Sequence, residues 1–551
     1  HPRSDGFLAS GSLSANPKKF ADRGGDVNVT WSGIDVPDEW DWIAVYCGRE
    51  TEPTADNILD WTYVPYVAQA GAVTFKSLVN MRCNYYFRYY RDLPGGKYEQ
   101  LAESNEVEPL GGFDVPMHGR LSLTGVHSEM QVTWTSGSQD QEQQFVRYDT
   151  NCTDIYDVAA DGNTHDWSYT AANTSAPASY AASDMCGSPA NQLTQSYYRN
   201  PGYFHTVILT ELDLGTSYCY QYGNDKDGFS DVSYFKTSPG VGRDKGVSFI
   251  AYGDMGVGPG FDGTSTALRV TSELPHTDML LHFGDISYAR GQGFLWEQWH
   301  YLIEPISSRL PYLVSVGNHE YDHVSGGEKD PSGADGTGFH PTWGNYGDDS
   351  HGECSVPMYH RFYTPQNGHD LFWYSFNFGN VHVIQMSSEH DYTIGSEQYL
   401  WIEQDLKGVD RGETPFVIVT SHRPMYNSEN YMGDYNVELH IREDLEPLMN
   451  TYSVDLFLAG HYHSYERTCK VLDEVCHDDM MDADVHITIG SAGASLDSAT
   501  WMDKNWRVYG AYEFGNCRIL RLNTRNSILT VQYIRNEDGS VADEVCIPSR
   551  F

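Results

Sequence analysis

Between residues 245 and 465 the chain carries five short apolar runs: VSFIAY, MLLHF, YLVSV, FVIVT and VDLFLA. None alternates apolar with polar positions. Continuous runs of this length, closed by Gly and polar residues, predict strands buried on both faces, as in parallel sheets. GSEQYLWIEQDLKGV at 395–409 and VELHIREDLEPLMNTY at 437–452 have amphipathic helical spacing between such runs. The alternation predicts a layered α/β region over 245–551. A long irregular insertion at 322–357 interrupts it; loops of that length are usually functional. It follows Gly317-Asn318-His319-Glu320 closely, so it is expected to border whatever that motif builds. The tail from 484 (VHITIG, NCRILRL, ILTVQYI) is expected to complete a second sheet.

Upstream the pattern changes to alternation. VNVTWSG, DWIAVYCG, VTFKSL and CNYYFRYY predict the short strands of a β-sandwich over 1–115. Val27, Val29 and Trp31 would face inward and Asn28 outward. The linker VEPLGGFDVPMHG leads to a second strand series over 116–240, with an insertion at about 151–200. Its stretch LDLGTSYCYQYG resembles the fibronectin type III pattern, with Tyr218 near a strand start. The aromatic residues of both sandwiches read as core, and no chemistry is assigned before residue 240. The joint SPGVGRDKG at 238–246 opens the third region.

Composition narrows the function. Acidic residues number 76 against 35 basic, a net charge of −41. Nucleic acid is thereby excluded as a partner, since no basic excess exists to neutralise its phosphates. A phosphate site in so negative a chain must make its own local positive charge, which metal ions can do. No apolar run is long enough to span a membrane. The ten cysteines show no C-x-x-C pair and read as disulfides of an oxidising compartment, Cys469–Cys476 being the local pair. Asn28, Asn151 and Asn173 head glycosylation sequons. The chain begins at His1, and removal of an upstream segment is expected.

The five apolar runs end in Gly253-Asp254-Met255-Gly256, Gly284-Asp285-Ile286-Ser287-Tyr288, Gly317-Asn318-His319-Glu320, Ser421-His422-Arg423 and Gly460-His461-Tyr462-His463. In open α/β sheets ligands bind just beyond the carboxyl ends of strands. Five such ends carrying Asp, Asn, Tyr and His read as a two-metal site.

These motifs resemble those of the purple acid phosphatases over residues 245 to about 540, and GDISYARG, GECSVP, HRPMY and HSYERT resemble their longer plant-type subgroup. The resemblance implies a four-layer αββα metallophosphoesterase catalytic domain (α/β) at 245–551. Two all-β sandwich domains would precede it, the second fibronectin III-like. It implies Fe(III) held by Asp254, Tyr288 and His463, and a divalent ion (Zn, Mn or Fe) held by Asn318, His422 and His461, with Asp285 bridging. Hard phenolate and carboxylate donors suit Fe(III), whereas imidazole and amide oxygen suit a divalent ion. Gly256 stands where most metallophosphoesterases carry a His, and Tyr288 makes good the missing ligand. Catalysis would be hydrolysis of phosphate monoesters by a metal-bound hydroxide, with His319 donating to the phosphate or the leaving group. Asn318 and His319 would bind substrate; Arg423 and Arg290 would contact the phosphate or serve in salt bridges. Shorter members carry a His pair where this chain reads NSENYMGDYN, so the proton donor is His319 alone or a loop residue among His323, His351 and His390. The expected protein is a secreted acid phosphatase, extracellular, vacuolar or in the cell wall. It would act on small phosphorylated substrates, its oligomeric state open, a homodimer included. A nucleotide pyrophosphatase/phosphodiesterase or a phytase on the same site, and a non-enzymatic adhesion protein, are the alternatives.

Overall fold

The computed structural model describes residues 11–21, 23–49, 57–65, 68–137, 143–152, 166–173, 175–324, 327–334, 339–477, 483–512, 518–524 and 527–551, with the backbone alone for 518–522. Among these, no helix is long and apolar enough to cross a membrane.

The first β-sandwich pairs β1 (Ser12–Asn16), β2 (Gly24–Ser32) and β5 (Gly71–Val79) in one sheet. β3 (Trp42–Cys47), β4 (Asp60–Tyr63), β6 (Tyr85–Leu93) and β7 (Lys97–Glu103) form the other, in the order β4-β3-β6-β7. Alternation decides which side chains meet between the sheets: Val27, Val29 and Trp31 are buried there and Asn28 faces solvent. The second sandwich sets β8 (Met117–Ser122), β9 (Met130–Ser136) and β12 (Tyr203–Leu209) against a five-stranded sheet. That sheet comprises β10 (Phe145–Asp149), β11 (Tyr169–Ala172), β13 (Ser217–Asn224), β14 (Gly228–Phe229) and β15 (Ser233–Lys236). The Tyr218 hydroxyl accepts a hydrogen bond from the Asp213 amide (3.0 Å), which fixes the turn into β13. Asn151 and Asn173 lie in this sandwich, but Thr153 and Thr174 of their sequons fall outside the described residues.

The third region has two sheets. The six-stranded one runs β18-β17-β16-β27-β28-β29, built from β16 (Ser248–Tyr252), β17 (Met279–Phe283), β18 (Tyr312–Ser315), β27 (Arg518–Asn523), β28 (Ile528–Arg535) and β29 (Val541–Pro548). The eight-stranded one runs β19-β20-β21-β22-β25-β23-β24, with β26 on β23. Its strands are β19 (Tyr374–Phe378), β20 (Val381–Gln385), β21 (Phe416–Ser421), β22 (Leu456–Ala459), β23 (Tyr465–Leu472), β24 (Val475–Cys476), β25 (Asp484–Ile489) and β26 (Arg507–Ala511). β16–β17–β18 are parallel, as are β20–β21–β22–β25. Phe249, Leu281, Val383, Ile418 and Leu458 pack between the sheets. Helices α1 (Gly263–Glu273) and α2 (Gly293–Ser307) cover the outer face of the first sheet through Val270, Trp299 and Ile303. α4 (Glu397–Gly408) and α5 (Met432–Thr451) cover the second through Ile402, Ile441 and Leu445. The short helix α3 (Val356–Arg361) closes the 322–357 insertion. The result is α–β–β–α layering, in which the parallel strands are apolar on both sides because both sides are covered.

The tail differs from expectation. Of the three runs, VHITIG alone joins the second sheet, as β25, beside the later β26; β27 instead pairs antiparallel with β16, and β28 and β29 extend the first sheet. One strand run after another gave no indication that the chain changes sheets. Disulfides join Cys47–Cys83, Cys152–Cys219, Cys186–Cys354 and Cys469–Cys476. Cys546 is unpaired among the described residues, and Cys517 lies outside them.

Candidate metal centre

All five motifs lie at carboxyl ends of parallel strands: Asp254 beyond β16, Asp285 and Tyr288 beyond β17, Asn318 and His319 beyond β18, His422 beyond β21, and His461 and His463 beyond β22. The backbone bends sharply there. Asp254 (φ 63°), Asp285 (51°), Tyr288 (53°) and His461 (71°) all adopt the left-handed region, which non-glycine residues avoid. Such strain persists only where the surroundings impose it, and it gathers at functional sites. Close approach also excludes side chains: a Cβ on Gly284 would stand 2.5 Å from His422 Nδ1, and one on Gly460 2.4 Å from Asp254 Oδ2.

Two clusters of donor atoms result. In the first, Tyr288 donates to Asp254 Oδ1 (3.1 Å), its hydroxyl meets His463 Nε2 at 2.8 Å, and His463 Nε2 lies 3.6 Å from Asp254 Oδ1. In the second, Asn318 Oδ1 faces His422 Nε2 (2.9 Å) and His461 Nδ1 (3.0 Å), and Asp285 Oδ1 lies 3.3 Å from His422 Nε2. Donor atoms of Asp254, Asp285 and His422, all buried, fall within 4.8 Å of one another and join the clusters. His319, His461 and His463 form the part-exposed rim.

The outer contacts show which atoms face inward. His422 Nδ1 meets Phe283 O (3.1 Å), His463 Nδ1 meets Ser495 O (2.7 Å) and His461 Nε2 meets Asp434 Oδ1 (3.1 Å). Each acceptor holds the proton on the outer nitrogen and turns the other toward the centre, the usual arrangement of metal-binding imidazoles. Asn318 Nδ2 donates to Asp349 Oδ2 (3.0 Å), which likewise turns the amide oxygen inward. Glu320 accepts from the backbone amides of Asp285, Ile286 and Gly317 (2.8, 2.8 and 3.0 Å) and so locks two motif turns together.

Electrostatics describe a cation well. Burial would lower the His422 pKa, but Asp285 and the other nearby carboxylates hold it up at about 10. Burial opposes His463 similarly, and its hydrogen bond to Asp254 holds it at about 9. Asp285 lies well below the carboxylate range; burial works against this, and His422 and His319 outweigh it. Tyr288 is raised well above its usual value by burial and by the two carboxylates, so its phenolate requires a nearby cation. Protons fill this role when no metal does, and a metal ion would displace them. The donor set therefore fits two metal ions.

Residues 116–237, 247–465 and 483–544 match families described respectively as Purple acid Phosphatase N-terminal domain, Calcineurin-like phosphoesterase, and Iron/zinc purple acid phosphatase-like protein C. The chain is 31% identical to probable inactive purple acid phosphatase 1 of Arabidopsis thaliana, over 88% of this chain and 78% of that protein. The chain belongs to the purple acid phosphatase family. Another similar protein is probable inactive purple acid phosphatase 9 of the same plant (29% identical, 97% of this chain, 85% of that one). A nucleotide pyrophosphatase/phosphodiesterase of Hordeum vulgare is 31% identical over 57% of this chain and 86% of its own length. The purple acid phosphatase PPD1 from yellow lupin (Lupinus luteus) seeds superposes with a TM-score of 0.81 at 26% identity, covering 98% of this chain and 96% of that one. Family membership makes the chain a metallophosphoesterase by descent.

Around the centre of this purple acid phosphatase family member, several placements differ from the sequence reading. Arg423 does not face the cleft. It is buried, with Nε on Glu389 Oε1 (2.9 Å), one terminal nitrogen on Asp434 Oδ1 (3.3 Å) and its guanidinium over the Tyr346 ring. Two carboxylates occupy it, so the expected substrate contact is corrected to an ion-pair role. Arg290 is exposed, 5.6 Å from the Tyr288 ring centroid, with no ion pair among the described residues. His319 Nδ1 meets Asp349 O (3.1 Å), and its Nε2 lies 3.8 Å from Asp285 Oδ2; burial lowers its pKa, against Asp285. His323 pairs with Glu389 (3.0 Å), and buried His390 meets Ser387 Oγ (2.8 Å). The insertion borders the site through Asp349. Asp434, at the start of α5 in the stretch lacking a His pair, was missed, as were Glu320, Asp349 and Glu389. Only the departure at NSENYMGDYN could have drawn attention to Asp434.

Proposed function

We propose that the chain is a catalytically competent binuclear metallohydrolase, a secreted acid phosphatase acting on phosphate monoesters. One observation carries this reading: seven donor groups converge, and all three imidazoles have their outer nitrogens held by fixed acceptors. All seven ligand-type side chains are in place in this chain, although four relatives have names beginning "probable inactive".

Asp254, Tyr288 and His463 would hold Fe(III), Asn318, His422 and His461 a divalent ion (Zn, Mn or Fe), and Asp285 both. When bound, such a pair supplies Lewis-acid stabilisation of the phosphoryl oxygens and makes water a competent nucleophile at low pH. The protein's own groups do the rest. Glu320 and the left-handed turns hold the donors in register, so little reorganisation accompanies the reaction. His319, its Nδ1–H donated to Asp349 O, would turn Nε2 to the cleft and, in its imidazolium form, give the Nε2 proton to the leaving oxygen, leaving the neutral ring. Arg290 balances charge on the phosphate. The disulfides and the sequons at Asn28, Asn151 and Asn173 suit passage through the secretory pathway.

The reading is tested by metal content, visible spectrum and turnover together. Iron with one divalent metal per chain, a visible band lost in Tyr288→Phe, and hydrolysis of an aryl phosphate abolished in Asp285→Ala are expected. Absence of iron together with unchanged hydrolysis in Asp285→Ala would falsify it. The Hordeum vulgare relative gives grounds for a second reading, nucleotide pyrophosphatase/phosphodiesterase activity. Faster turnover of a bis-aryl phosphodiester than of the monoester would favour that reading.

A further inference from the structure

The first sandwich carries a feature that its core does not require. β3, β4, β6 and β7 turn one face to the sandwich interior and the other outward. An outward sheet face is ordinarily polar. This one bears Trp42, Trp61, Tyr63, Tyr90 and Tyr98, with Trp40 beside it. Trp40 (55%), Trp61 (49%) and Tyr63 (48%) are largely exposed, contrary to the expectation that these aromatics fill a core. Together with Trp42, Ile58 and Asp92 they line a pocket of about 210 Å³.

The rings stand as walls. Trp40 and Tyr63 meet at 78°, Trp42 and Trp61 at 76°, and Trp61 and Tyr63 at 89°. Trp42 is fixed from behind, stacked on Tyr90 at 4.4 Å with Tyr98 at its edge. Coplanar rings would offer a flat platform for a sugar; rings packed edge to face line an open pocket of small volume. The negative faces of such rings attract cations, and aromatic cages of this kind recognise quaternary ammonium groups. Asp92 adds a carboxylate at the pocket, with no ion pair among the described residues. Arg88, on the same sheet face, lies over Tyr46 and is paired with Glu103 (3.1 Å). The charge of −41 favours cations over the whole surface.

We propose that the Trp40–Trp42–Trp61–Tyr63–Asp92 pocket is a binding site for a small soluble quaternary ammonium compound of the choline class, separate from the metal centre. Calorimetric titration of the full chain with choline chloride tests it, beside 3,3-dimethyl-1-butanol, the uncharged isostere. Saturable binding of choline and not of the isostere is expected. Trp61→Ala and Trp40→Ala should each weaken it roughly tenfold and Asp92→Asn by less, with unchanged circular dichroism and melting, since these side chains are exposed. Equal binding of choline and the isostere, choline binding that survives both Trp variants, or no binding of choline at all would overturn the proposal. So would Trp61-dependent binding of an oligosaccharide, or of phosphatidylcholine vesicles, in place of free choline.

Discussion

Asp434 offers a direct test of how the centre is held. Its Oδ1 lies 3.1 Å from His461 Nε2, and Arg423 (3.3 Å) and Asn345 (3.4 Å) hold the carboxylate in place. Burial would raise its pKa, but His461 and Arg423 hold it down at about 2, so it is ionised throughout the working range. A hydrogen bond to a charged acceptor contributes about 1.5–3 kcal/mol, and a neutral one about half of that. Asp434→Asn keeps an acceptor and loses the charge, so about 1 kcal/mol, or roughly fivefold in divalent-metal affinity, should be lost. Asp434→Ala removes the acceptor altogether and frees the imidazole to turn, for a loss of about 10–100-fold. Equilibrium dialysis against buffered free zinc, followed by metal analysis, measures both. Hydrolysis should recover at saturating metal, because Asp434 acts through the outer nitrogen of His461. If Asp434→Ala bound zinc within twofold of the parent chain, the assigned role of Asp434 would be wrong.

Other expectations follow from the ion pairs. Arg423→Ala leaves Glu389 buried with His323 and the Ser388 hydroxyl but without its guanidinium, and should cost about 3–5 kcal/mol in denaturant unfolding. Arg290→Ala should leave unfolding unchanged and raise KM for an aryl phosphate; the opposite pattern would restore Arg423 as the substrate cation. Burial would raise the pKa of Glu297, but Arg82 and Arg361 lower it from 4.5 to about 2. A lowered carboxylate stabilises the fold fully above its unfolded pKa and loses that contribution as pH falls through its folded one. The stability gap between the parent chain and Glu297→Gln should therefore be constant above pH 4.5 and narrow toward pH 2; a gap that widened on acidification would contradict the pairing.

The strands that carry the centre were legible because burial on both faces leaves an unbroken apolar run, and each run ends where the polar motif begins. Their order in the sheets was not legible: β27 and β25 read alike, yet they enter different sheets. The inward donors announced themselves by residue type. What orients them did not, because two of the three imidazole acceptors are the carbonyls of Phe283 and Ser495, which any residue could supply. Asp434 escaped for a related reason, as an acidic residue in the first turn of a helix is common without any partner. Alternation correctly placed Val27, Val29 and Trp31 inside. In DWIAVYCG both faces are apolar, so the pattern could not show that Trp42 points away from the core.

The Cys186–Cys354 bridge ties the insertion of the second sandwich to the end of the loop that carries Asp349, and Arg82 and Glu297 join the first sandwich to helix α2. The outer wall of the cleft is therefore anchored by chain that comes well before the first metal-binding motif. Excising residues 245–551 would sever a covalent tether and strip buried Glu297 of Arg82. Loop exchanges between relatives would likewise have to carry both ends of the bridge. The segment that performs the chemistry is shorter than the segment that must fold to support it.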